Sequence, residues 1–243
     1  MVRVPQPLGA NVPFAELERT AHGLRLRGTQ LHLDPRGRSE LGFIAHARGA
    51  RATLPARVVA TAATVEVLKA AQPRALLRSS PLPAAFGKPF ALGALKLTLY
   101  AAGHLRGSAQ VRCETGAGAS ILYSGDLGGA GAHACATAEP REQTRCETLI
   151  LRASLGHPIY VLPPRAEVLA SLSGFVRRAL AAKRVPVVLA APLGGAQEVA
   201  RHLGDEGHVL RLHPTVLRYT EVYQELGVAL RGVSPLSGPP AFG

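Results

Sequence analysis

The sequence from Tyr100 to Asp126 reads YAAGHLRGSAQVRCETGAGASILYSGD. Its pattern predicts a turn that carries His104, a strand over residues 108–113, a glycine-rich hairpin turn, and a second strand that stops at Asp126. His104 and Asp126 each stand at the end of a predicted strand beside glycines, which allow sharp bends and close backbone approach. Taken alone, His104 is also typical of a structural turn histidine. The two residues together indicate a metal site or an acid/base site.

These residues resemble the metallo-β-lactamase-fold nucleases of the β-CASP type. In that family a metal-ligand histidine lies in a GH-x-x-GS turn and a bridging aspartate ends a strand as SGD, and His104 and Asp126 stand at those two positions. The resemblance is to the bacterial branch of ligase-associated DNA exonucleases and mRNA 3′-end processing factors. It implies an α/β fold with an αββα sandwich followed by an incomplete β-CASP-like α/β layer.

The composition limits the class of protein. The chain has 243 residues, of which 47% are apolar, so it can build one large core or two small ones. No apolar run reaches the roughly 20 residues of a membrane span, and there is no signal-peptide pattern, so we expect a cytoplasmic protein without a membrane partner. The three cysteines lack C-x-x-C spacing, which argues against a disulfide framework and a structural zinc site.

The charge indicates a partner. Lys and Arg number 28 against 16 Asp and Glu, a net charge of +12. Such an excess favours nucleic acid or another polyanion. GC-rich coding, which enriches arginine, would produce the same bias.

The resemblance covers about residues 24–230 and divides the chain into four parts. They are an irregular arm (1–23), a metallo-β-lactamase-like domain (24–145), a partial β-CASP-like α/β domain (146–231) and a frayed tail (232–243). The middle boundary rests on a change from alternating hairpins to strand–helix units near Cys146.

In the first domain, alternating apolar residues predict a hairpin around Gly28 and a second hairpin over residues 86–101. A strand that ends at Thr61 leads into a helix over residues 62–71, with Thr61 as its N-cap. Asp34 closes the first hairpin. The resemblance gives it the role of supporting the metal ligands from behind, whereas a bare Asp-Pro is also typical of a turn.

The main ligand motif of the family is largely lost. Family members carry His-x-His-x-Asp-His after a short apolar strand, and the same register here holds His46, Arg48, Ala50 and Arg51. Only His46 is retained. Two arginines therefore stand where the resemblance implies metal ligands.

The second half predicts strands that alternate with amphipathic helices. We expect strands at 146–152, 185–192 and 208–212, and helices over 163–184, from about residue 196, and from Pro214. The order matches the resembled family, but Arg152 replaces its usual glutamate and Gly195 its usual lysine.

Counting ligands argues against two-metal hydrolysis. Each ion of such a site needs about three protein ligands, and the matching positions leave His46, His104 and Asp126. They could hold at most one weakly bound zinc or manganese ion. Cations at Arg48 and Arg51 would oppose it, because like unit charges about 5 Å apart cost on the order of 3 kcal/mol at an effective dielectric near 20.

The sequence favours a degenerate, shortened relative of these nucleases that binds nucleic acid or a partner without turnover. An active paralogue or a DNA-ligase-associated protein is the partner that the resemblance implies. The alternatives are a residual mononuclear phosphodiesterase that uses His46, His104 and Asp126, and a folded protein with no ligand. Arg48, Arg51 and His213 are candidate phosphate-binding residues. Alternatively, one of the two cleft arginines pairs with Asp126 and closes the pocket, or both turn to solvent.

Overall fold

A computed structural model describes residues 17–48, 53–114, 120–129 and 135–237 of the chain. They form an α/β structure with two larger sheets, one two-stranded sheet and five helices. The strands are β1 (Leu17–Thr20), β2 (Gly23–Leu26), β3 (Leu31–Leu33), β4 (Leu41–Phe43), β5 (Arg57–Thr61), β6 (Ser80–Ala84), β7 (Phe90–Leu92), β8 (Leu95–Ala101), β9 (Ala109–Glu114), β10 (Ser120–Tyr123), β11 (Thr148–Ile150), β12 (Leu210–Leu212) and β13 (Val233–Pro235). The helices are α1 (Ala62–Ala71), α2 (Pro73–Leu76), α3 (Arg165–Ala181), α4 (Gly195–Asp205) and α5 (Pro214–Glu225).

The first sheet has six strands in the order β1 to β6. β1, β2 and β3 pair antiparallel, and β3, β4, β5 and β6 pair in parallel. The predicted hairpin around Gly28 is confirmed as β2 and β3. The arm that we predicted over residues 1–23 is wrong at its end, because Leu17–Thr20 is a strand that pairs with β2 and buries Leu17.

The second sheet has five strands in the order β11, β10, β9, β8 and β7. The predicted hairpin over residues 86–101 is confirmed as β7 and β8. The strand that ends near Asp126 stops at Tyr123, and the glycine-rich turn before it lies outside the described residues. β11 pairs in parallel with β10. The second sheet therefore extends past the expected boundary at Cys146.

The two sheets pack face to face around one apolar core. The core draws buried side chains from both sheets, including Leu31, Phe43 and Val59 from the first and Leu97, Val111 and Tyr123 from the second. Burying such side chains is the main stabilising contribution to this half of the molecule.

A second core joins the outer face of the first sheet to the helices. Val58 and Ala60 of β5 pack with Val65 and Leu68 of α1 and with Tyr223 of α5. The predicted cap is confirmed, since the Thr61 hydroxyl accepts a hydrogen bond from the N–H of Thr64 at 3.1 Å.

The expected αββα order is not confirmed. The main contacts of the described helices are with one another, with β5 and β6 of the first sheet, and with β12 and β13. On the outer side of the second sheet, Gln110 and Arg112 donate hydrogen bonds to the carbonyls of Glu142 and Arg145. An irregular segment therefore covers that face where the resemblance implies a helical layer.

The second half follows the predicted order of helices. The structure confirms helices over Arg165–Ala181, Gly195–Asp205 and Pro214–Glu225, the last with Pro214 in its first turn. The strand that we predicted over 185–192 is wrong, because these residues are not assigned to a strand and pair with none of the described strands. The frayed tail is also wrong in part, since Val233–Pro235 pairs with β12. Among the described residues, none of the helices combines the length and the apolar character needed to cross a membrane.

Candidate metal centre and its ion pairs

The turn that carries His104 is held by its own serine. The Ser108 hydroxyl oxygen accepts hydrogen bonds from the N–H groups of His104 and Leu105, both at 3.0 Å. The carbonyl of Gly107 accepts from the hydroxyls of Thr61 at 2.6 Å and Thr64 at 2.9 Å. The start of α1 therefore fixes the turn that presents His104.

Gly107 makes this contact sterically possible. Its φ of +80° lies in the left-handed region, and an added Cβ would come within 2.7 Å of the backbone nitrogen of Thr64. A side chain at this position would separate the turn from α1.

His46 and Asp126 meet where β4 and β10 end. Gly125, with φ +54°, approaches Ala45 so closely that a Cβ on the glycine would lie 2.5 Å from the Ala45 Cβ. This contact places the His46 Nε2 3.0 Å from the Asp126 Oδ2. His46 is buried, and the side chain of Asp126 is 19% exposed.

Asp34 forms hydrogen bonds to both the segment that carries His46 and the segment that carries Asp126. Its Oδ1 accepts from the N–H of Ala45 at 2.8 Å, next to His46, and its Oδ2 accepts from the Tyr123 hydroxyl at 2.8 Å, on the strand that leads to Asp126. Burial raises the pKa of the Asp34 carboxyl and also raises that of the Tyr123 hydroxyl. Asp34 thus joins the segment that carries His46 to the strand that leads to Asp126.

The structure brings the three residues His46, His104 and Asp126 together. Their candidate ligand atoms all lie within 4.8 Å of one another. The two imidazole rings stand edge to face with their centroids 5.0 Å apart. Two imidazoles and one carboxylate form a donor set that zinc accepts, so the geometry offers one divalent cation three ligands.

Arg152 occupies the carboxylate side of this set. Its Nε lies 3.0 Å from the Asp126 Oδ1, and its Nη1 lies 3.7 Å from the Asp34 Oδ2. The Ser154 hydroxyl donates to the same Asp126 oxygen at 3.3 Å. With His46 on the other oxygen, both oxygens of Asp126 have protein partners.

The pairing of an arginine with Asp126 was among our expectations, but the residue differs. We considered Arg48 and Arg51, and the structure places Arg152 there. The sequence signal was the arginine at a position where the resembled family has glutamate. The partner could not be derived from it, because 26 residues and β11 separate Arg152 from Asp126.

Arg48 lies on the other side of the triad. Its guanidinium contacts the Nε2 of His104, and its side chain is exposed. A guanidinium only donates, so this nitrogen accepts and carries no proton. Arg51 lies outside the described residues. His213 is the N-cap of α5, where its Nδ1 accepts from the N–H of Thr215 at 3.2 Å, and no described contact joins it to the triad.

The electrostatics follow from these neighbours. Burial, followed by the nearby His46 and Arg48, lowers the pKa of His104 to about 4. The hydrogen bond from His46, assisted by Arg152, lowers the pKa of Asp126 to about 2. Near neutral pH, His104 is therefore neutral and Asp126 is ionised, which are the protonation states that metal ligands require.

The guanidinium groups of Arg48 and Arg152 would repel a metal ion at this site electrostatically. A dication about 5 Å from one arginine is repelled by roughly 6 kcal/mol at an effective dielectric near 20, and by less where solvent screens an exposed group such as Arg48. Within the described residues, three ligands meet at this site, whereas a two-metal centre needs about twice that number. The residues do not fit a two-metal centre.

Two proteins that are similar to this chain carry names that refer to nucleic-acid processes. The chain is 32% identical over 213 residues to "Probable DNA ligase" of Opitutus terrae, covering 86% of this chain and 20% of that protein. It is 33% identical over 118 residues to "Transcription termination factor FttA" of Methanococcus maripaludis, covering 47% of this chain and 18% of that protein. The chain thus spans about a fifth of the length of these curated relatives.

No protein-family model matches the sequence. Among solved structures, a protein of unknown function from Enterococcus faecalis V583 aligns over 82% of this chain and 52% of its own. The TM-score is 0.47 and the sequence identity 15%.

Proposed function

We propose that this protein is a nucleic-acid-associated relative of the β-CASP nucleases in which ion pairs have replaced the hydrolytic metal centre. One observation carries the proposal: both oxygens of Asp126 are bound by protein groups, His46 on one side and Arg152 with Ser154 on the other. A metal ion at this aspartate would have to compete with His46 for one oxygen and with the Arg152 cation for the other.

Three features support an association with nucleic acid. The net charge is +12. The two relatives carry the names of a DNA ligase and a transcription termination factor. The exposed Arg48 has further N–H groups beyond the one that contacts His104, and a guanidinium suits phosphate oxygens. In this proposal Arg48 binds the phosphate backbone and Arg152 keeps the centre closed.

A second function is favoured by the convergence of His46, His104 and Asp126 within 4.8 Å. If Arg48 and Arg152 swing outward, the three ligands would hold one zinc or manganese ion. A bound dication would supply an activated water for attack on a phosphodiester. This chain's own contribution would be to orient the two imidazoles through Ser108 and Asp34.

The test combines elemental analysis with a cleavage assay. We expect protein purified from zinc- and manganese-supplemented cultures to carry no near-stoichiometric metal. We also expect no cleavage of single-stranded or duplex DNA or RNA above background when either metal is added. Metal-dependent cleavage that disappears in both His104→Ala and Asp126→Ala would contradict the proposal and establish the mononuclear phosphodiesterase.

A gain-of-binding variant sharpens this experiment. Arg152→Glu removes the cation on Asp126 and adds a carboxylate at the position where the resembled family carries one. We expect this variant to bind zinc more tightly than the wild type in a competition titration with a chromogenic chelator. Arg78→Glu is the matched control, since Arg78 is exposed and no described contact joins it to the triad. Equal zinc affinity of wild type and Arg152→Glu would show that Arg152 does not close the site.

A further inference from the structure

One stretch of the chain leaves an unusual amount of apolar surface uncovered. Of the nineteen large hydrophobic side chains that are exposed in the described part of the protein, fourteen come from residues 149–189. We call this stretch the apolar face. Scattered exposed apolar residues are ordinary, but a concentration of this kind is typical of a surface that another molecule covers.

The apolar stripe of helix α3 is wider than its buried part. Ser173, Val176 and Ala179 are buried, and the helix contacts α4. Val168 and Phe175, seven residues apart and therefore on one side of the helix, remain 49% and 42% exposed. The described contacts of α3 therefore leave one edge of its apolar stripe uncovered.

The segment Val185–Leu189 behaves like a strand without a sheet. Its sequence, VPVVL, is rich in β-branched residues, and Val187 and Leu189 are 73% and 93% exposed. No described strand pairs with it. A β-forming segment with exposed apolar side chains and no described partner strand is a template for a strand from another chain.

The charges beside the apolar face select the partner. Apart from Arg152, which pairs with Asp126, residues 149–189 contain five Lys and Arg and one Glu, a net charge of +4. Arg177, Arg178, Lys183 and Arg184 are exposed. A second copy would bring the same cations together, whereas an acidic surface would be attracted.

We propose that the apolar face is the docking surface for a second polypeptide, one that adds a strand beside Val185–Leu189, packs apolar side chains on Val168 and Phe175, and has an acidic rim. In the two curated relatives the matching region is a fifth or less of a longer chain. The remainder of each relative is therefore polypeptide that could cover the corresponding surface. The proposal goes beyond the proposed function and does not depend on it, because the triad and Arg152 take no part in it.

The experiment uses the full 243-residue chain and a synthetic strand-forming probe. The probe is a fluorescent peptide of alternating valine and glutamate, and its counterpart alternates valine and lysine. We expect the acidic peptide to bind and the basic peptide not to bind. Val187→Asp and Leu189→Asp should each lower the affinity for the acidic peptide by about tenfold or more, as expected for a central apolar contact. Leu77→Asp, at an 86% exposed leucine outside the apolar face, should leave the affinity for the acidic peptide unchanged.

The rival occupants give different results. If sedimentation shows a dimer that Leu189→Asp dissociates, a second copy covers the face and the proposal is wrong. If the chain binds phosphatidylserine vesicles through the same residues and ignores the acidic peptide, the face is a membrane surface and the proposal is equally wrong. Binding of both peptides alike, or of neither, also overturns it. Arg152 variants should leave peptide binding intact, which separates this test from that of the closed metal site.

Discussion

At the scale of single residues, Arg152 is the cation that contacts the carboxylates of the candidate centre. It pairs with Asp126 at 3.0 Å and lies 3.7 Å from Asp34. Arg152→Ala leaves both carboxylates without their cation. Because the Arg152 side chain is 39% exposed, water can replace part of the interaction, and we expect a loss of about 1–2 kcal/mol in the free energy of unfolding, between the values for surface and buried pairs. Urea unfolding measures it, with Arg78→Ala as control. Equal loss in both variants would contradict this role.

The same network gives the protein an acid-sensitive component. The folded pKa of Asp126 is about 2, below its ordinary 3.8, mainly because His46 donates to it. A lowered pKa means that Asp126 stabilises the fold above about pH 4 and loses this contribution as the pH falls from about 4 towards 2. We expect the difference in unfolding free energy between wild type and Asp126→Asn to shrink over that range. A difference that stays constant with pH would show that the carboxylate is not held as described.

At the scale of secondary-structure elements, the contact between α1 and the His104 turn holds His104 in position. Gly107→Ala places a Cβ 2.7 Å from the Thr64 nitrogen and on a backbone with φ +80°. Gly93 is the matched control, since its φ is +62° and a Cβ there meets nothing within 4 Å. We expect Gly93→Ala to cost about 1 kcal/mol, the strain of the left-handed region, and Gly107→Ala to cost clearly more. Similar thermal stabilities of the two variants would show that the protein does not depend on close contact between Gly107 and α1.

At the scale of the whole molecule, the net charge of +12 dictates how nucleic acid would be bound. Association driven by arginine and phosphate releases counterions, so the logarithm of the affinity should fall linearly with the logarithm of salt concentration. The slope should be roughly −0.7 to −0.9 per phosphate contact. Anisotropy titrations with labelled single strands of different sequence measure it. We expect little sequence preference, and Arg48→Ala should make the slope shallower by about one contact. An affinity that does not change with salt would contradict the proposed binding mode.

Much of the local structure follows from the sequence alone. The Thr61 cap, the helix over Ala62–Ala71 and the two hairpins depend on residues that are close along the chain, and the sequence predicted them correctly. The positions of His46, His104 and Asp126 were marked by strand ends, glycines and family resemblance. The net charge, which limits the partners, is likewise a property of the sequence.

Only the tertiary structure decided which groups occupy the centre and which strands find partners. Arg152, not Arg48, pairs with Asp126, because that pair depends on distances between segments that the sheet brings together. Leu17–Thr20 and Val233–Pro235 became strands because a neighbour lies beside each. Val185–Leu189 has the composition of a strand and is not one in the described structure. A strand is stabilised by hydrogen bonds to another segment, so its existence depends on which segments the fold places beside it.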